Sequence, residues 1–208
     1  MCEFFKVIKY KKILLLISFI FLSSCSSKKT EYYSLSIADK NYSSYNISTK
    51  GTIAIGPISI SQVLKSKDIV LQCKNKVQIS EFHQWDEKLD SNIESALINN
   101  LNNYYFNRKS KIMSVPYRFR KFTNNDYTVA INIQKFQNKI IKKNRLKSIL
   151  SVQWSILNNK NKVIASFSSK YIDYIDANLS NKNTTYLAIA EVMSKNIAKF
   201  SNDIAKHT

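Results

Sequence analysis

A short apolar run near the N-terminus decides how much of this 208-residue chain can enter a folded domain. The run covers residues 13–22 and follows four lysines among the first twelve residues. A basic start, about ten apolar residues and small residues after them are typical of a secretory signal peptide. A transmembrane helix needs roughly 20 apolar residues, so this run is too short to span a bilayer. We therefore predict that residues 1–24 are a signal peptide.

The apolar run ends in Leu22-Ser23-Ser24-Cys25, which resembles a bacterial lipobox. At a lipobox a diacylglyceryl group is added to the cysteine thiol, and the chain is cut just before the cysteine. Cys25 is therefore the predicted lipidation site, and residues 25–50, rich in Ser, Lys, Asn and Tyr, are the predicted linker, with an ordered island at residues 32–35. The other interpretations are an ordinary cleaved signal with an incidental cysteine, or an uncleaved anchor.

The remaining residues, 51–208, have a length that suits one domain with a hydrophobic core. The chain has a formal net charge of +18, mostly from lysine. Such a balance can indicate nucleic acid or an anionic membrane surface as partner. We predict no nucleic-acid partner, because an exported, lipid-tethered protein would rarely meet one. Cys73 is the only other cysteine of the mature chain, and its alternating apolar segment predicts a buried thiol.

Two hydrophobic periods alternate along the domain, one of two residues and one near 3.6. Strands are predicted at residues 52–60, with a bend at Gly56-Pro57, and in a hairpin of residues 69–79 joined through Lys74-Asn75-Lys76. Further strands are predicted at residues 111–115, 127–137, 147–157 and 163–174. The last three should form an antiparallel meander with one wet face, because Asn-Asn-Lys-Asn at residues 158–161 favours a turn.

Two amphipathic helices complete the predicted elements. The first begins at Trp85, with Asp86 and Glu87 in its first turn. The second is capped by Asn183 or Thr184. Its apolar stripe consists of Ile189, Met193, Ile197, Phe200 and Ile204. The predicted structural core includes Trp85, Leu89, Leu97, Leu101 and Trp154. The expected fold class is α+β, with a mainly antiparallel sheet and two helices packed on one face.

The sequence contains no recognisable catalytic constellation, and we expect neither a metal nor a cofactor. The only histidines, His83 and His207, are predicted in a strand-to-helix connection and at the C-terminus. Asp173 and Asp176 are three residues apart near a strand, so they should face opposite sides and not form a carboxylate pair. Residues 117–122 interleave aromatic and basic side chains, which suits either lipid headgroups or a solvated loop. We therefore expect that the protein is not an enzyme.

Several short segments, taken in order, resemble the ABC-type transport auxiliary lipoproteins, the PqiC-like family. After the lipobox these are Tyr32-Tyr33-Ser34-Leu35, Ile53-Ala54-Ile55-Gly56-Pro57, Val63-Leu64 with Asp68-Ile69-Val70, and Trp85-Asp86-Glu87-Lys88-Leu89. The likeness extends over essentially the whole mature chain. Two departures are Gln62, where the family commonly has proline, and Asp68, where it commonly has arginine.

The resemblance implies a non-enzymatic lipoprotein of the outer membrane that faces the periplasm. It would be an auxiliary component of an ABC-type, MCE intermembrane lipid-transport system and would dock onto an MCE-domain membrane protein. Ser26 after Cys25 fits an outer-membrane location, and a ring-shaped partner suggests that the protein could itself form a homo-oligomer. The alternatives are an accessory lipoprotein of outer-membrane assembly, a periplasmic lipid carrier with a deep apolar cavity, or a cell-wall enzyme.

Overall fold

The computed structural model describes residues 28–36, 51–73, 75–105, 110–115, 126–142, 144–176, 178 and 180–208. Cys25, the apolar run and residues 117–122 lie outside the described residues. Glu31–Thr208 forms one compact unit. In the described part of the chain, no helix is long and apolar enough to cross a membrane.

The described residues form one eight-stranded sheet and two α-helices. The strands are β1 (Glu31–Tyr33), β2 (Thr52–Ile60), β3 (Asp68–Cys73), β4 (Lys76–Trp85), β5 (Lys111–Ser114), β6 (Tyr127–Lys142), β7 (Arg145–Leu157) and β8 (Val163–Asp176). The helices are α1 (Leu89–Tyr104) and α2 (Lys182–His207), and a single 3-10 turn spans Gln62–Leu64. The ordered island predicted at residues 32–35 thus includes most of β1 and the buried Leu35.

The long strand β6 is the centre of the sheet. β7 lies along one of its edges, and β2 and β3 share the other, which gives the order β1-β4-β3-β6-β2-β5 with β7 and β8 on the far side. The meander β6–β7–β8 is antiparallel, as predicted, and so is the β3–β4 hairpin. The shorter pairs β1–β4, β2–β5, β2–β6 and β3–β6 are parallel. The α+β class and the mainly antiparallel sheet are therefore confirmed.

The bend predicted in β2 is present at Gly56-Pro57. The register between β2 and β6 shifts between Ile55 and Ile58, which marks a bulge. Gly56 has φ = 113°, a conformation that favours glycine because a Cβ would be strained there. The bulge explains why the isoleucines change phase along this strand, from Ile53 and Ile55 to Ile58 and Ile60.

The first helix begins four residues later than predicted. Trp85 ends β4, where it is paired with Tyr33 of β1, and the helix begins at Leu89. The spacing of four between Trp85 and Leu89 imitates a helical period, but Trp85 also continues the alternation of buried side chains from His83. Asp86 and Glu87 therefore belong to the connection and not to the first turn of α1, which contains Asp90.

The second helix begins earlier than predicted, at Lys182. Its N-cap is Asn181, whose side-chain oxygen accepts a hydrogen bond from the backbone N–H of Asn183 at 2.9 Å. Asn181 and Asn183 are both good capping residues, so sequence alone could not choose between them. The hydroxyl of Thr185 donates to the Asn181 carbonyl at 2.8 Å and completes the first turn.

Both helices pack on one face of the sheet and enclose a single core. Along β7, Leu150, Val152 and Trp154 point toward the helices, whereas Ser151 and Gln153 point away from them. The indole of Trp154 stacks on Phe167 at 4.2 Å and meets Phe200 of α2 edge-on at 5.9 Å. All the residues assigned to the core in the sequence are at most 2% exposed: Trp85, Leu89, Leu97, Leu101 and Trp154. Cys73, in contrast, is only partly buried.

Candidate functional site

The candidate site is the outer face of the sheet, which we define as the face opposite α1 and α2. Its polar side chains confirm the wet face predicted for the meander. The face divides along the strands into two chemically different halves. One half is a groove lined by neutral polar and apolar residues, and the other is apolar and basic.

The first half is an open groove of about 610 Å³, called the serine groove here. The side chains of its lining include Ser59, Asn132, Gln153, Ser155, Ser166 and Ser168. The hydroxyls of Ser155 and Ser166 lie 2.9 Å apart across β7 and β8, and the Ser59 hydroxyl donates to Asn132 Oδ1 at 3.0 Å. None of the six side chains is charged, so the groove can exchange hydrogen bonds with a polar partner but contains no acid, base or strong nucleophile.

The second half lies at what we call the hairpin end, the end of the sheet that contains the β3–β4 turn at Asn75 and the β6–β7 turn at Asn144. Parallel pairing of β3 with β6 matches Cys73 with Ile140 and therefore brings the two turns to the same end of the sheet. Two exposed apolar residues flank the turns, Val77 (59% exposed) and Ile141 (43%).

Basic side chains lie near these apolar residues at the same end of the sheet, with Lys76, which is paired with Cys73, on the helix side and with Arg145 and Lys147 on the outer face beside Tyr174. Lys76, Lys139, Lys142, Arg145 and Lys147 all lie in the strands next to the two turns. The Arg145 guanidinium and the Lys147 ammonium lie 5.1 and 5.7 Å from the centre of the Tyr174 ring. Arg145 also lies 3.7 Å from the exposed Asp176, whereas the four lysines form no salt bridge with another described residue.

A one-residue difference in register explains why this half was missed in the sequence. A three-residue turn through Lys76 would pair Cys73 with Val77 and direct both toward the core. The observed turn instead pairs Cys73 with Lys76 and Gln72 with Val77. A shift of one residue moves a side chain to the opposite face, so Val77 and Ile79 lie on the outer face, exposed to solvent.

A smaller groove of about 260 Å³ lies beside the hairpin end. Val63, Leu64, Val70 and Val77 provide apolar surface, and Gln72 and Lys135 provide polar groups. Neither this groove nor the serine groove is the deep, closed apolar cavity that a lipid carrier would require.

The segment around β1 is attached to the rest of the unit by a cluster of aromatic and polar side chains. The Tyr33 hydroxyl donates to Glu31 Oε2 at 2.8 Å and lies 3.0 Å from Nδ1 of the buried His83. The His83 ring stacks on Tyr186 of α2 at 4.1 Å. Burial and the hydrogen bond with Glu31 raise the pKa of Tyr33 well above its usual range, so the hydroxyl remains protonated. The cluster therefore serves attachment of β1, and its hydroxyl is not an activated nucleophile.

The two histidines are not brought together. His83 lies within β4, not in the connection that was predicted, and contacts the first turns of α2. His207 is at the end of α2, with its Nδ1 2.8 Å from the Asp203 carbonyl oxygen. Tyr186 and His207 are separated by about 30 Å of helix at 1.5 Å per residue. A catalytic or metal site that uses both histidines is therefore excluded.

The carboxylates near the end of β8 are also separate. Asp173 faces α2 and pairs with Lys199 at 2.7 Å, whereas Asp176 faces the other side and pairs with Arg145. This confirms that they do not form a carboxylate pair. Among the described residues, no three His, Cys, Asp or Glu side chains are grouped so that they could bind a metal ion.

Comparison with known proteins finds a family match over most of the chain. Residues 33–205 match the model described as the ABC-type transport auxiliary lipoprotein component. A solved protein from Xanthomonas campestris is 11% identical and superposes with a TM-score of 0.63, over 86% of this chain and 100% of that one. A second solved structure, of an uncharacterised protein, is 14% identical with a TM-score of 0.62, over 86% and 99% of the two chains. These likenesses show the fold alone. No curated protein matches the sequence significantly.

Proposed function

The chain belongs to the family of ABC-type transport auxiliary lipoprotein components, and from this premise we propose that it is a tethered docking module without catalytic activity. The proposal rests on two observations. The outer face is broad and open, and the titratable side chains described above are engaged in structural contacts. His83, Asp173 and Tyr33 each serve packing between elements. An open face with neutral polar side chains suits recognition of another protein better than bond chemistry.

In this proposal Cys25 is acylated and anchors the protein in the outer membrane, with the folded unit in the periplasm. One acyl chain anchors a protein only marginally, whereas two or three anchor it stably. Ser26 after Cys25 supports the outer-membrane location. The partner is an MCE-domain membrane protein of an intermembrane lipid-transport system, in line with the resemblance described above, and it docks on the serine groove.

The anchor is tested by replacing Cys25 with alanine in the full-length chain. Cys25→Ala should move the protein from the membrane pellet to the soluble periplasmic fraction after a salt wash that removes peripherally bound protein. Cys73→Ala is the matched control, because Cys73 lies in β3, and it should leave the protein in the membrane pellet. Retention of Cys25→Ala in the salt-washed membrane would contradict lipid anchoring.

The docking site is tested by crosslinking in cells. A photoreactive residue at Ser166, in the serine groove, should capture an MCE-domain protein. The same residue at Leu187, which is 62% exposed on α2 on the helix side of the sheet, is the control and should not capture it. Equal capture from both positions, or repeated capture of an unrelated protein from Ser166, would contradict the proposed partner or its docking site.

A further inference from the structure

The hairpin end combines exposed apolar and basic side chains in a way that suits an anionic lipid surface. Val77 and Ile141 present apolar surface, and Lys76, Lys142 and Arg145 present positive charge within a few residues of it. Amphiphilic surfaces of this kind bind membranes through buried apolar area together with attraction to anionic headgroups. The lining of the serine groove, in the other half of the outer face, includes apolar side chains such as Pro57 but no basic side chain.

The types of exposed residue alone do not distinguish the hairpin end from the opposite end of the sheet. The β7–β8 turn, at the opposite end of the sheet, exposes Val163 and Ile164 beside Lys160 and Lys162. The direction of β1 distinguishes the two ends. β1 runs parallel to β4, which starts at the hairpin end. The N-terminus of β1 therefore points toward the hairpin end. If the segment before β1 led to a membrane at the opposite end, the chain would have to reverse its direction.

The length of chain before β1 covers the distance to the hairpin end. Tyr32 is paired with Gln84, and Gln84 is paired with Asp68, which is five residues from Cys73 along β3. At about 3.3 Å per residue, these five steps span about 17 Å. The six residue steps from Cys25 to Glu31 reach at most about 22 Å. Whatever path the chain takes, an acylated Cys25 keeps Glu31 within about 22 Å of the lipid.

We propose that the hairpin end rests on the anionic phospholipid surface in which Cys25 is anchored; this inference rests on the lipidation of Cys25 proposed above. Val77 and Ile141 contact the boundary between headgroups and acyl chains, and Lys142 faces the phosphates. Each basic residue near an anionic surface strengthens the association by about fivefold. The β3–β4 and β6–β7 turns then touch the membrane, and the serine groove remains accessible to a partner.

The test measures vesicle binding without the acyl anchor. The protein is the mature chain, residues 25–208, with Cys25→Ser, which retains the whole compact unit from Glu31 to Thr208. It should co-sediment with vesicles of phosphatidylethanolamine and phosphatidylglycerol, and the binding should weaken as salt is raised. Vesicles of phosphatidylcholine alone should bind it at least tenfold less.

Matched variants at the two ends decide where the binding site lies. Val77→Asp combined with Ile141→Asp should lower the affinity at least tenfold, and Lys142→Glu alone should lower it at least fivefold. Val163→Asp combined with Ile164→Asp, and Lys162→Glu, place the same changes at the opposite end and should bind like the parent chain. Thermal unfolding checks each variant, and Lys142→Glu, in an exposed position, tests the proposal even if the double variant fails to fold.

The proposal is overturned if the parent chain does not bind the anionic vesicles, or if the variants at the opposite end lose as much affinity as those at the hairpin end. This failure is distinct from failure of the anchor. If Cys25→Ala is released from the membrane in cells but the Cys25→Ser chain does not bind vesicles, the lipid anchor is supported and the membrane contact of the hairpin end is refuted. If the Cys25→Ser chain binds vesicles but Cys25→Ala stays in the salt-washed membrane, the membrane contact of the hairpin end is supported and lipid anchoring through Cys25 is refuted.

Discussion

Trp85 ends β4 and is one of the largest fully buried side chains. Trp85→Ala should lower the free energy of unfolding by about 3–5 kcal/mol, because it removes a buried aromatic ring and leaves a cavity. Chemical denaturation measures the change. Tyr32→Ala, at a neighbouring position that is 62% exposed, is the control and should change stability by no more than about 0.5 kcal/mol. Similar losses in the two variants would show that Trp85 is not a core residue.

Asn196 of α2 is fully buried, and neither atom of its side-chain amide has a hydrogen-bond partner among the described residues. It lies between Met193, whose sulfur accepts from Asn138 Nδ2, and Lys199, which pairs with Asp173. An unpaired buried amide costs about 1–3 kcal/mol. Asn196→Leu should therefore raise the free energy of unfolding by about that amount.

Asn100 of α1 is the matched control for this substitution, because it is equally buried but donates to Ser201 Oγ at 3.3 Å. Asn100→Leu should lower the free energy of unfolding, since it breaks a buried hydrogen bond. Both changes are measured by denaturation with urea. If Asn196→Leu destabilises the protein as Asn100→Leu does, the Asn196 amide has a partner in solution.

Among the elements, β1 depends on the connection between β4 and α1. Asp86 accepts hydrogen bonds from the Ser34 hydroxyl and from Asn92 Nδ2, both at 2.5 Å, and Asn92 Oδ1 accepts from the Leu35 backbone N–H at 3.1 Å. Burial raises the pKa of Asp86, but the hydrogen bonds from Ser34, Asn92 and the Glu87 backbone outweigh it and leave the pKa below its ordinary value. The residues that follow β1 are therefore attached to α1 through an ionised carboxylate.

This attachment should weaken in acid. A carboxyl whose pKa is lowered by folding contributes stability above its ordinary pKa, near 4, and loses it as pH falls through the folded value. Hydrogen exchange measured by NMR should therefore show falling protection of the Leu35 amide below about pH 4, after correction for the intrinsic rate. The Tyr105 amide, which donates to the Leu101 carbonyl, is the control and should keep its protection. In Asp86→Asn the dependence should disappear, and its persistence would contradict the assignment to Asp86.

At the scale of the whole molecule, two parallel strand pairs determine which surfaces can bind a membrane and a protein partner at the same time. The β1–β4 pair sets the direction in which the chain enters the sheet, and the β3–β6 pair brings the two hairpin turns to one end. If the hairpin end contacts the membrane, the serine groove and the solvent-facing side of the C-terminal half of α2 remain accessible to other partners. The vesicle and crosslinking experiments should then identify different surfaces, one at the hairpin end and one around Ser166.

Periodicity in the sequence by itself determined the types of most elements and the buried faces of the long ones. The alternation in β6, β7 and β8 and the stripe from Ile189 to Ile204 in α2 are local patterns, because each residue's face depends only on the strand or helix that contains it. The family resemblance was also evident at this level. Both helix starts were misplaced, because Trp85 fits two periods and two asparagines compete as caps.

Only the tertiary structure decided which strands lie side by side and which way the short hairpin faces. Pairing between β3 and β6 joins segments more than sixty residues apart, and no local pattern specifies it. The turn at Asn75 is shorter by one residue than predicted, and this difference alone moves Val77 and Ile79 from the core side to the outer face. The candidate membrane contact therefore depends on the length of this turn and on the β3–β6 pairing, and side-chain periodicity encodes neither of them.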